Sequence, residues 1–338
     1  MEMISKNLRY SELDETKNPY DFDLIKKSLN FLRDKLKINN CKIDLINSKE
    51  EDKEDFKREH KTFLNLLDSV SNYDNSLLEK VNNNDFDLSV YSLNMNDDIC
   101  FLDINKLKEE NEKNDFIFYL NSNLKNNSLV LYDSSIKENN YDRKRVTSIL
   151  FKNLKDNSLI NKLNIINLIP FLNNFFFNMN TSKIDIIDVS YFSKNNILFN
   201  VENKNFNSTI RVLNKKFNEY NAFLNNKKNT SSNLTFRSLV HNDLSIISDS
   251  FSNQENIESF IDIKNFNLSG NINALPSLTV KGNLVNLDHS MYVKNFRDEE
   301  LFYLSKMGLS KKDSKKLIIK EFISSGSELN DFLWNIIN

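Results

Sequence analysis

Two hydrophobic patterns divide most of the chain. Apolar residues recur at helical spacing in DFDLIKKSLNFLRDKL (21–36) and FKREHKTFLNLLDSV (56–70), with Lys and Glu on the opposite faces. From about residue 115 to 290, short runs of Ile, Val, Leu and Phe alternate with Asn, Ser, Asp and Lys. The first pattern predicts a helical region over residues 1–110, and the second predicts a β-rich core over residues 111–293.

Candidate strands recur through this core at intervals of roughly 8–12 residues, the spacing of an all-β array. Examples are DFIFYL (115–120), SLVLYD (128–133), NILFNV (196–201), STIRVL (208–213) and NLTFRSLV (233–240). Residues 143–180 are predicted to be partly helical. The hairpin dipeptides Asn-Gly and Asp-Gly are absent, which disfavours a meander of tight hairpins. The pattern favours a coiled β-solenoid with apolar ladders inside and Asn at the corners, and a β-sandwich is the alternative.

A further change of pattern predicts a pair of helices within residues 294–338. The carboxylates at 298–300 suit the positive end of a helix dipole. Gly308 is placed to end this first helix in the left-handed conformation. Ser310 then caps a second helix, with Asp313 three residues later in an acidic variant of the capping box.

The helical pair has an apolar and aromatic first helix and a lysine-rich second helix. The second helix has no set of Arg, Asn or Gln residues suited to reading bases, so we predict no nucleic-acid partner. The apolar first helix predicts docking onto another protein. A nucleic-acid-binding module that uses the second helix is the competing hypothesis.

Composition narrows the class of protein. The 45 basic and 47 acidic residues give a net charge of −2, so no global electrostatic footprint for nucleic acid follows. Cys41 and Cys100 are the only cysteines, too few for a four-cysteine metal site or a secreted disulfide framework. The first residues are polar, without the apolar segment of a signal peptide, and no apolar run reaches the length of a membrane span. We therefore predict a cytoplasmic protein that does not enter membranes.

An ordered set of motifs lies in the last quarter of the chain. They are Leu268–Ser269, Pro276 followed by alternating apolar residues to Val280, His289, and the acidic and apolar run from Asp298 through Leu-Phe-Tyr-Leu to Gly308. This stretch, residues 268–323, resembles the C-terminal part of the SufB/SufD family of iron–sulfur cluster assembly proteins. The His-Ser pair at 289–290 differs from the His-Glu usual in SufB and from the His-Gly usual in SufD. The Leu-Phe-Tyr-Leu motif is closer to that of SufD, so the chain is identified as SufD-like.

The resemblance implies a right-handed parallel β-helix core, flanked by an N-terminal helical region and a C-terminal helical pair. It also implies a non-catalytic scaffold that pairs through its β-helix with a SufB-type subunit, or with a second copy as a homodimer. The C-terminal helices are then expected to dock a SufC-type ABC ATPase, and the ATPase activity belongs to that partner. The predicted partner-binding residues are Glu300, Leu301, Phe302, Tyr303, Leu304, Met307, Gly308 and Phe322.

His289 is the candidate chemical residue. The resemblance implies that it helps to hold iron or a nascent cluster at the subunit interface, and imidazole is a suitable iron ligand. One histidine makes no metal site, so a structural role within a β-helix rung stays open. Leu287 stands where the family often has a cysteine. We therefore expect the chain alone to hold no cofactor stably, and iron or a nascent cluster to bind only in the complex.

A β-solenoid that acts on or binds carbohydrate is the alternative function. It requires clustered carboxylates and aromatic stacking residues along one face. Asp185, Asp188 and Asp262 are available, but the sequence shows no pairing among them, and Trp334 is the only tryptophan.

Overall fold

The structure is a computed structural model. It describes residues 39–40, 42–68, 86, 88–95, 99–111, 114–134, 146–153, 160–169, 171–189, 193–214 and 218–337. The helix predicted at 21–36 and Cys41 lie outside these residues.

The described residues form eighteen β-strands and five α-helices. The strands are β1 Asn39–Asn40, β2 Lys42–Ile46, β3 Leu88–Asn94, β4 Ile99–Asp103, β5 Asp115–Asn121, β6 Asn126–Tyr132, β7 Val146–Asn153, β8 Lys162–Asn167, β9 Phe171–Asn178, β10 Lys183–Asp188, β11 Ser193–Val201, β12 Asn205–Asn214, β13 Asn218–Asn226, β14 Ser231–Val240, β15 Leu244–Ser252, β16 Ile257–Asn267, β17 Ile272–Val280 and β18 Val285–Lys294. The helices are α1 Glu50–Asp68, α2 Ile104–Asn111, α3 Asp298–Lys306, α4 Lys311–Ser324 and α5 Asn330–Ile337. None of these helices combines the length and the apolar character needed to span a membrane.

The strands belong to two sheets of nine strands each. Sheet A has the order β1-β4-β6-β8-β10-β12-β14-β16-β18, and sheet B has the order β17-β15-β13-β11-β9-β7-β5-β3-β2. From β3 onward, successive strands alternate between the sheets and each pairs in parallel with the strand two positions away in the sequence; the β2–β3 pair is antiparallel. The chain therefore coils, which confirms the predicted mainly β fold with a parallel β-solenoid core and excludes the β-sandwich alternative.

The rungs of the solenoid differ in length. In sheet A, the register partners Ile186, Ile210, Phe236, Ile263 and Met291 are 24, 26, 27 and 28 residues apart. The strands stay in register because loops at the corners absorb the difference. The changing spacing explains why the sequence shows no strict repeat.

Apolar side chains fill the space between the two sheets. A column of phenylalanine rings runs from rung to rung inside, with ring centroids 5.0 Å apart for Phe151 and Phe177 and 5.1 Å apart for Phe177 and Phe199. Such columns arise because parallel in-register strands place equivalent side chains directly above one another. The interior is thus a continuous apolar core.

Helices cover the outer face of each sheet. On sheet B, Phe56 and Phe63 of α1 pack with a cluster that includes Phe176 and Phe223. On sheet A, α4 and α5 pack against an outward row of apolar residues from several rungs. The resulting layer order is helix, sheet, sheet, helix. The α1 helix confirms the prediction at 56–70, as far as Asp68.

Asparagines occupy both corners and strands. Asn229 and Asn256 have φ values of 60° and 58°, as expected for Asn at the corners. Other asparagines form a buried ladder inside strands, where the Asn196 amide donates to Asn174 Oδ1 at 2.7 Å and the Asn221 amide donates to Asn196 Oδ1 at 2.9 Å. The prediction of asparagine at the corners did not include this ladder. A carboxamide carries both a donor and an acceptor, so stacked copies can satisfy one another.

Two sequence predictions are wrong for parts of the chain. Strands β1 to β4 lie within residues 39–103, where only helices were predicted, and they join the same two sheets as the core. Residues 143–180 were predicted to be partly helical, but the described part forms β7, β8 and β9. In both segments, pairing with neighbouring rungs outweighs local preference. The division at residues 110 and 293 into three regions stays a prediction.

The buried carboxyl of Glu59 on α1 gives the first testable prediction. Its Oε2 accepts a hydrogen bond of 2.5 Å from the Asn200 amide, yet burial raises the pKa of the Glu59 carboxyl, outweighing this bond and the nearby Arg58. A raised carboxyl pKa makes stability greatest below the unfolded-state value, and stability is lost as the pH rises through the folded-state value. We expect Glu59→Gln to remove this dependence and to make the protein more stable than the wild type at neutral pH, because no buried carboxylate then has to be charged.

The measurement is chemical denaturation of both proteins between pH 4 and 8. Glu54→Gln is the matched control, because Glu54 lies on the exposed side of the same helix. A Glu59→Gln protein whose unfolding free energy follows the same pH curve as the wild type contradicts this account.

Candidate functional site

The start and end of α3 and the start of α4 lie where the sequence predicts them. Asp298, Glu299 and Glu300 occupy the first turn of α3. Gly308, with φ +88°, follows its last turn in the left-handed conformation. Ser310 caps α4 by accepting a hydrogen bond of 3.1 Å from the Asp313 amide. The predicted pair is followed by a third helix, α5, which the sequence analysis missed.

The apolar residues of α3 face two directions. Leu301 and Leu304 pack partly against the cluster on the outer face of sheet A. Phe302, Tyr303 and Met307 point away from it and are 63%, 64% and 66% exposed. We name these three residues the docking surface. A helix that is apolar on both sides is expected to be covered on both sides, and here one side is open.

The other predicted partner-binding residues lie around or beneath this surface. Gly308 is exposed beside it, and Glu300 forms an ion pair of 2.9 Å with Lys294 of β18. Phe322 is buried, and the centroid of its ring lies 5.4 Å from that of Phe266 in sheet A. Phe322 thus packs between α4 and sheet A and is not part of the docking surface.

The solenoid has an open end at β17 and β18. These are the last strands of sheets B and A, and each is paired on one side within the described structure. Their apolar side chains are exposed; they include Leu275, Val280, Met291, Tyr292 and Val293. Exposed strand edges with apolar side chains are favourable sites for pairing with further strands.

His289 lies at this open end. Its register partner is Ile261, which in turn pairs with Leu234, and both are fully buried in the interior cluster. His289 therefore continues an interior column of sheet A, yet it is exposed because no described rung covers it. Its backbone amide donates a 2.7 Å hydrogen bond to the Asp288 carboxylate.

The described residues around His289 do not complete a metal site. Across the described parts of the chain, no group of three or more His, Cys, Asp or Glu side chains is close enough to hold a metal ion. Cys100 is buried on β4, seven strand-to-strand steps from β18 in sheet A, which is about 34 Å. An iron or cluster bound at His289 would therefore need ligands from elsewhere.

Residues 264–322 match the family model described as SUF system FeS cluster assembly, SufBD core domain. This match supports the SufB/SufD family. The SufBD-like segment begins in β16, includes β17, β18 and α3, and ends in α4. Both the open end with His289 and the docking surface thus lie within it. No curated protein matches the chain.

Two basic residues of sheet A were missed by the sequence analysis. Arg211 and Arg237 lie at outward positions of β12 and β14, within the runs STIRVL and NLTFRSLV, and both contact α4. The available signal was an arginine directly after an apolar residue in the middle of a candidate strand, since Ile210 and Phe236 face the interior and the next residue faces outward.

Proposed function

We propose that this chain is a non-catalytic, SufD-like scaffold subunit of a SUF-type iron–sulfur cluster assembly complex. One observation carries the proposal: the segment that matches the SufBD core contains both the open end and the docking surface, two places where several apolar side chains are exposed. A scaffold needs surfaces for partners rather than an enclosed catalytic site.

Each surface suits a different partner. The open end offers the edges of both sheets, so a SufB-type subunit, or a second copy of this chain, can extend both sheets by strand addition. The docking surface offers two aromatic residues and a methionine, residue types that are enriched in protein interfaces. We assign it to a SufC-type ABC ATPase, which would supply the ATPase activity of the complex.

The carboxylates that a carbohydrate-active solenoid would need have structural contacts. Asp185 lies beneath α4 near Arg211 and Lys162. Asp188 accepts hydrogen bonds inside the solenoid from Asn195 and from Tyr220, and Asp262 pairs with Lys264. These contacts favour the assembly role over the carbohydrate alternative.

The proposal assigns His289 to the iron or nascent cluster as an interface ligand. The position of His289 at the open end supports this role, because a paired subunit would cover it and could add ligands. Leu287, two residues earlier on the same face of β18, provides no thiolate. The cluster is the cargo of the complex, and its remaining ligands would come from the partner.

Co-expression with a SufC-type ATPase and a SufB-type subunit tests the proposed function. We expect one stable complex by size-exclusion chromatography with light scattering, and iron and acid-labile sulfide in the complex but not in this chain alone. A chain that remains alone in the presence of both partners contradicts the proposal.

His289→Ala tests the cluster-binding role separately. Because an imidazole ligand is lost, we expect the complex to assemble normally but to retain iron at least about tenfold more weakly. The measurement is iron and sulfide per complex during dialysis against a chelator. Asn286→Ala is the matched control, since Asn286 is exposed on the outward side of the same strand. Equal iron retention in the wild type and both variants would show that His289 is not an iron ligand.

A further inference from the structure

Three basic residues stand in one column on the outer face of sheet A. Arg211 of β12 is in register with Arg237 of β14, which is in register with Lys264 of β16. Adjacent strands lie about 4.8 Å apart, so like charges in register repel one another. Arg211 is 1% exposed, so water does not screen its charge. The arginine pair therefore needs acceptors from the protein.

The carboxyl end of α4 supplies these acceptors. Arg211 donates from Nε to the carbonyl oxygen of Ile323 and from Nη2 to that of Ser325, both at 3.0 Å. Arg237 donates from Nη1 to the carbonyl oxygen of Phe322 at 3.0 Å. The last carbonyls of a helix have no partner within it and carry the negative end of its dipole, so cations are favourable there.

The remaining carbonyls at this helix end are also satisfied. The Ser325 amide donates to the Glu321 carbonyl at 3.1 Å, and the Ser327 amide donates to the Ser324 carbonyl at 2.8 Å. Lys183 of β10 donates to the Gly326 carbonyl at 3.4 Å. All six carbonyls from 321 to 326 therefore have donors, and three rungs of sheet A supply four of the bonds.

Nearby carboxylates offset part of the positive charge. Asp185 lies 3.7 Å from Arg211 Nη1. Burial lowers the pKa of the Arg211 guanidinium, and Asp185 opposes this shift; burial lowers the pKa of Arg237 in the same way, opposed by Asp262 and Glu321. Arginine remains protonated in proteins, so both side chains stay cationic and bound to the helix end.

The two helices after β18 differ in how they are held. Helix α4 buries Ser314, Ile318, Phe322, Ile323 and Ser324, and its carboxyl end is bound by the two arginines. Helix α3 buries no residue and rests on α4 and on sheet A through half-buried side chains. The orientation of the docking surface on α3 therefore depends on the position of α4.

We propose that Arg211 and Arg237 are positioning residues that anchor the carboxyl end of α4 to the solenoid. They thereby preorganise the docking surface for its partner. This inference rests on the proposed function, since it takes the partner to be a SufC-type ATPase. Preorganisation of this kind strengthens binding because less ordering remains to be done on association.

Hydrogen exchange of the full chain, followed by mass spectrometry, tests whether the two arginines anchor α4. Arg237→Gln is the main variant, because Arg237 is half-buried and makes one of these bonds. We expect exchange in residues 311–326 to become about tenfold faster, while β10 to β16 exchange as in the wild type. Arg211→Gln is expected to have a larger effect in the same residues, because two bonds are lost.

Two further variants sharpen this experiment. Lys264→Gln is the matched control: Lys264 stands in the same column, but its ammonium pairs with Asp262. It should leave the exchange of α4 unchanged. Arg237→Lys should restore slow exchange, because one ammonium donor can replace the single bond, whereas Arg211→Lys should not, because Arg211 bonds two carbonyls at once.

Affinity for the ATPase tests the positioning role. We expect Arg237→Gln to weaken the binding of a SufC-type ATPase about tenfold, although Arg237 lies outside the docking surface, and Arg237→Lys to restore it. Unchanged exchange in α4, or faster exchange throughout the solenoid, overturns the proposal that the arginines anchor α4. Faster exchange in α4 with unchanged affinity overturns the positioning role. If the wild-type chain itself does not bind the ATPase, the proposed docking is wrong. The exchange experiment still decides whether the arginines anchor α4.

Discussion

Replacing Phe302 and Tyr303 together with alanine is expected to weaken the binding of a SufC-type ATPase by about three orders of magnitude. Aromatic residues at the centre of an interface each contribute about 2 kcal/mol or more, and about 4 kcal/mol corresponds to a thousandfold change in affinity. The fold should be unaffected, because both side chains are mostly exposed. Isothermal titration calorimetry with the purified ATPase measures the change.

Leu45→Ala provides the matched control for this experiment. Leu45 is 63% exposed, like Phe302, but it lies on β2, at the opposite end of sheet B from β17. Its removal should leave the affinity for the ATPase unchanged. A double variant that binds within tenfold of the wild type shows that the ATPase docks elsewhere.

Lysine in place of Met291 is expected to prevent pairing at the open end. Met291 is 46% exposed on β18, in register with the buried Ile263, so the side chain is solvated now and would be enclosed by a paired subunit. Enclosing an unpaired ammonium costs several kcal/mol, which corresponds to at least about a thousandfold weaker pairing. Sedimentation velocity measures pairing of this chain with itself and with a SufB-type subunit.

Asn286→Lys is the control for this second variant. It adds the same charge to the same strand, but Asn286 is in register with the outward residue Glu258. The Asn286→Lys protein should pair as the wild type does. If the Met291→Lys protein pairs equally well, the open end is not the pairing surface, whereas the docking surface could still bind an ATPase.

These two experiments separate the surfaces that the proposed scaffold uses. Binding of the ATPase should not depend on Met291, and subunit pairing should not depend on Phe302 or Tyr303, because the two surfaces lie on different elements. Loss of both activities in either variant would indicate a general defect. The fluorescence of Trp334, which is 41% exposed on α5, provides a check of folding in each case.

Several helix boundaries could be predicted from sequence because their causes are local. Ser310 and Asp313 cap α4 within one turn, and Gly308 adopts its left-handed φ because it has no side chain to clash. The solenoid could likewise be predicted as a class, since many short apolar runs without tight-hairpin dipeptides favour coiling over a meander. His289 was found only through the resemblance of the surrounding motifs.

Other features depend on contacts between distant segments. The asparagine ladder of Asn174, Asn196 and Asn221 requires three rungs in register, and nothing in any one strand specifies it. The strands before residue 110 were missed because each has only a short run of apolar residues. These runs lie among segments whose sequence has a strong helical pattern. Leu301 and Leu304 were predicted to bind a partner together with Met307, because the sequence of α3 does not show that these two leucines pack toward sheet A.

The amino-acid sequence alone therefore determined the mainly β class, the N-terminal cap of α4 and the end of α3, because each follows from residues within a few positions of one another. Only the tertiary structure decided which side of α3 is free, that His289 continues an interior column to an uncovered end, and that Arg211 binds carbonyls more than a hundred residues away. These depend on how rungs of unequal length align, and that alignment is set by packing across the whole solenoid.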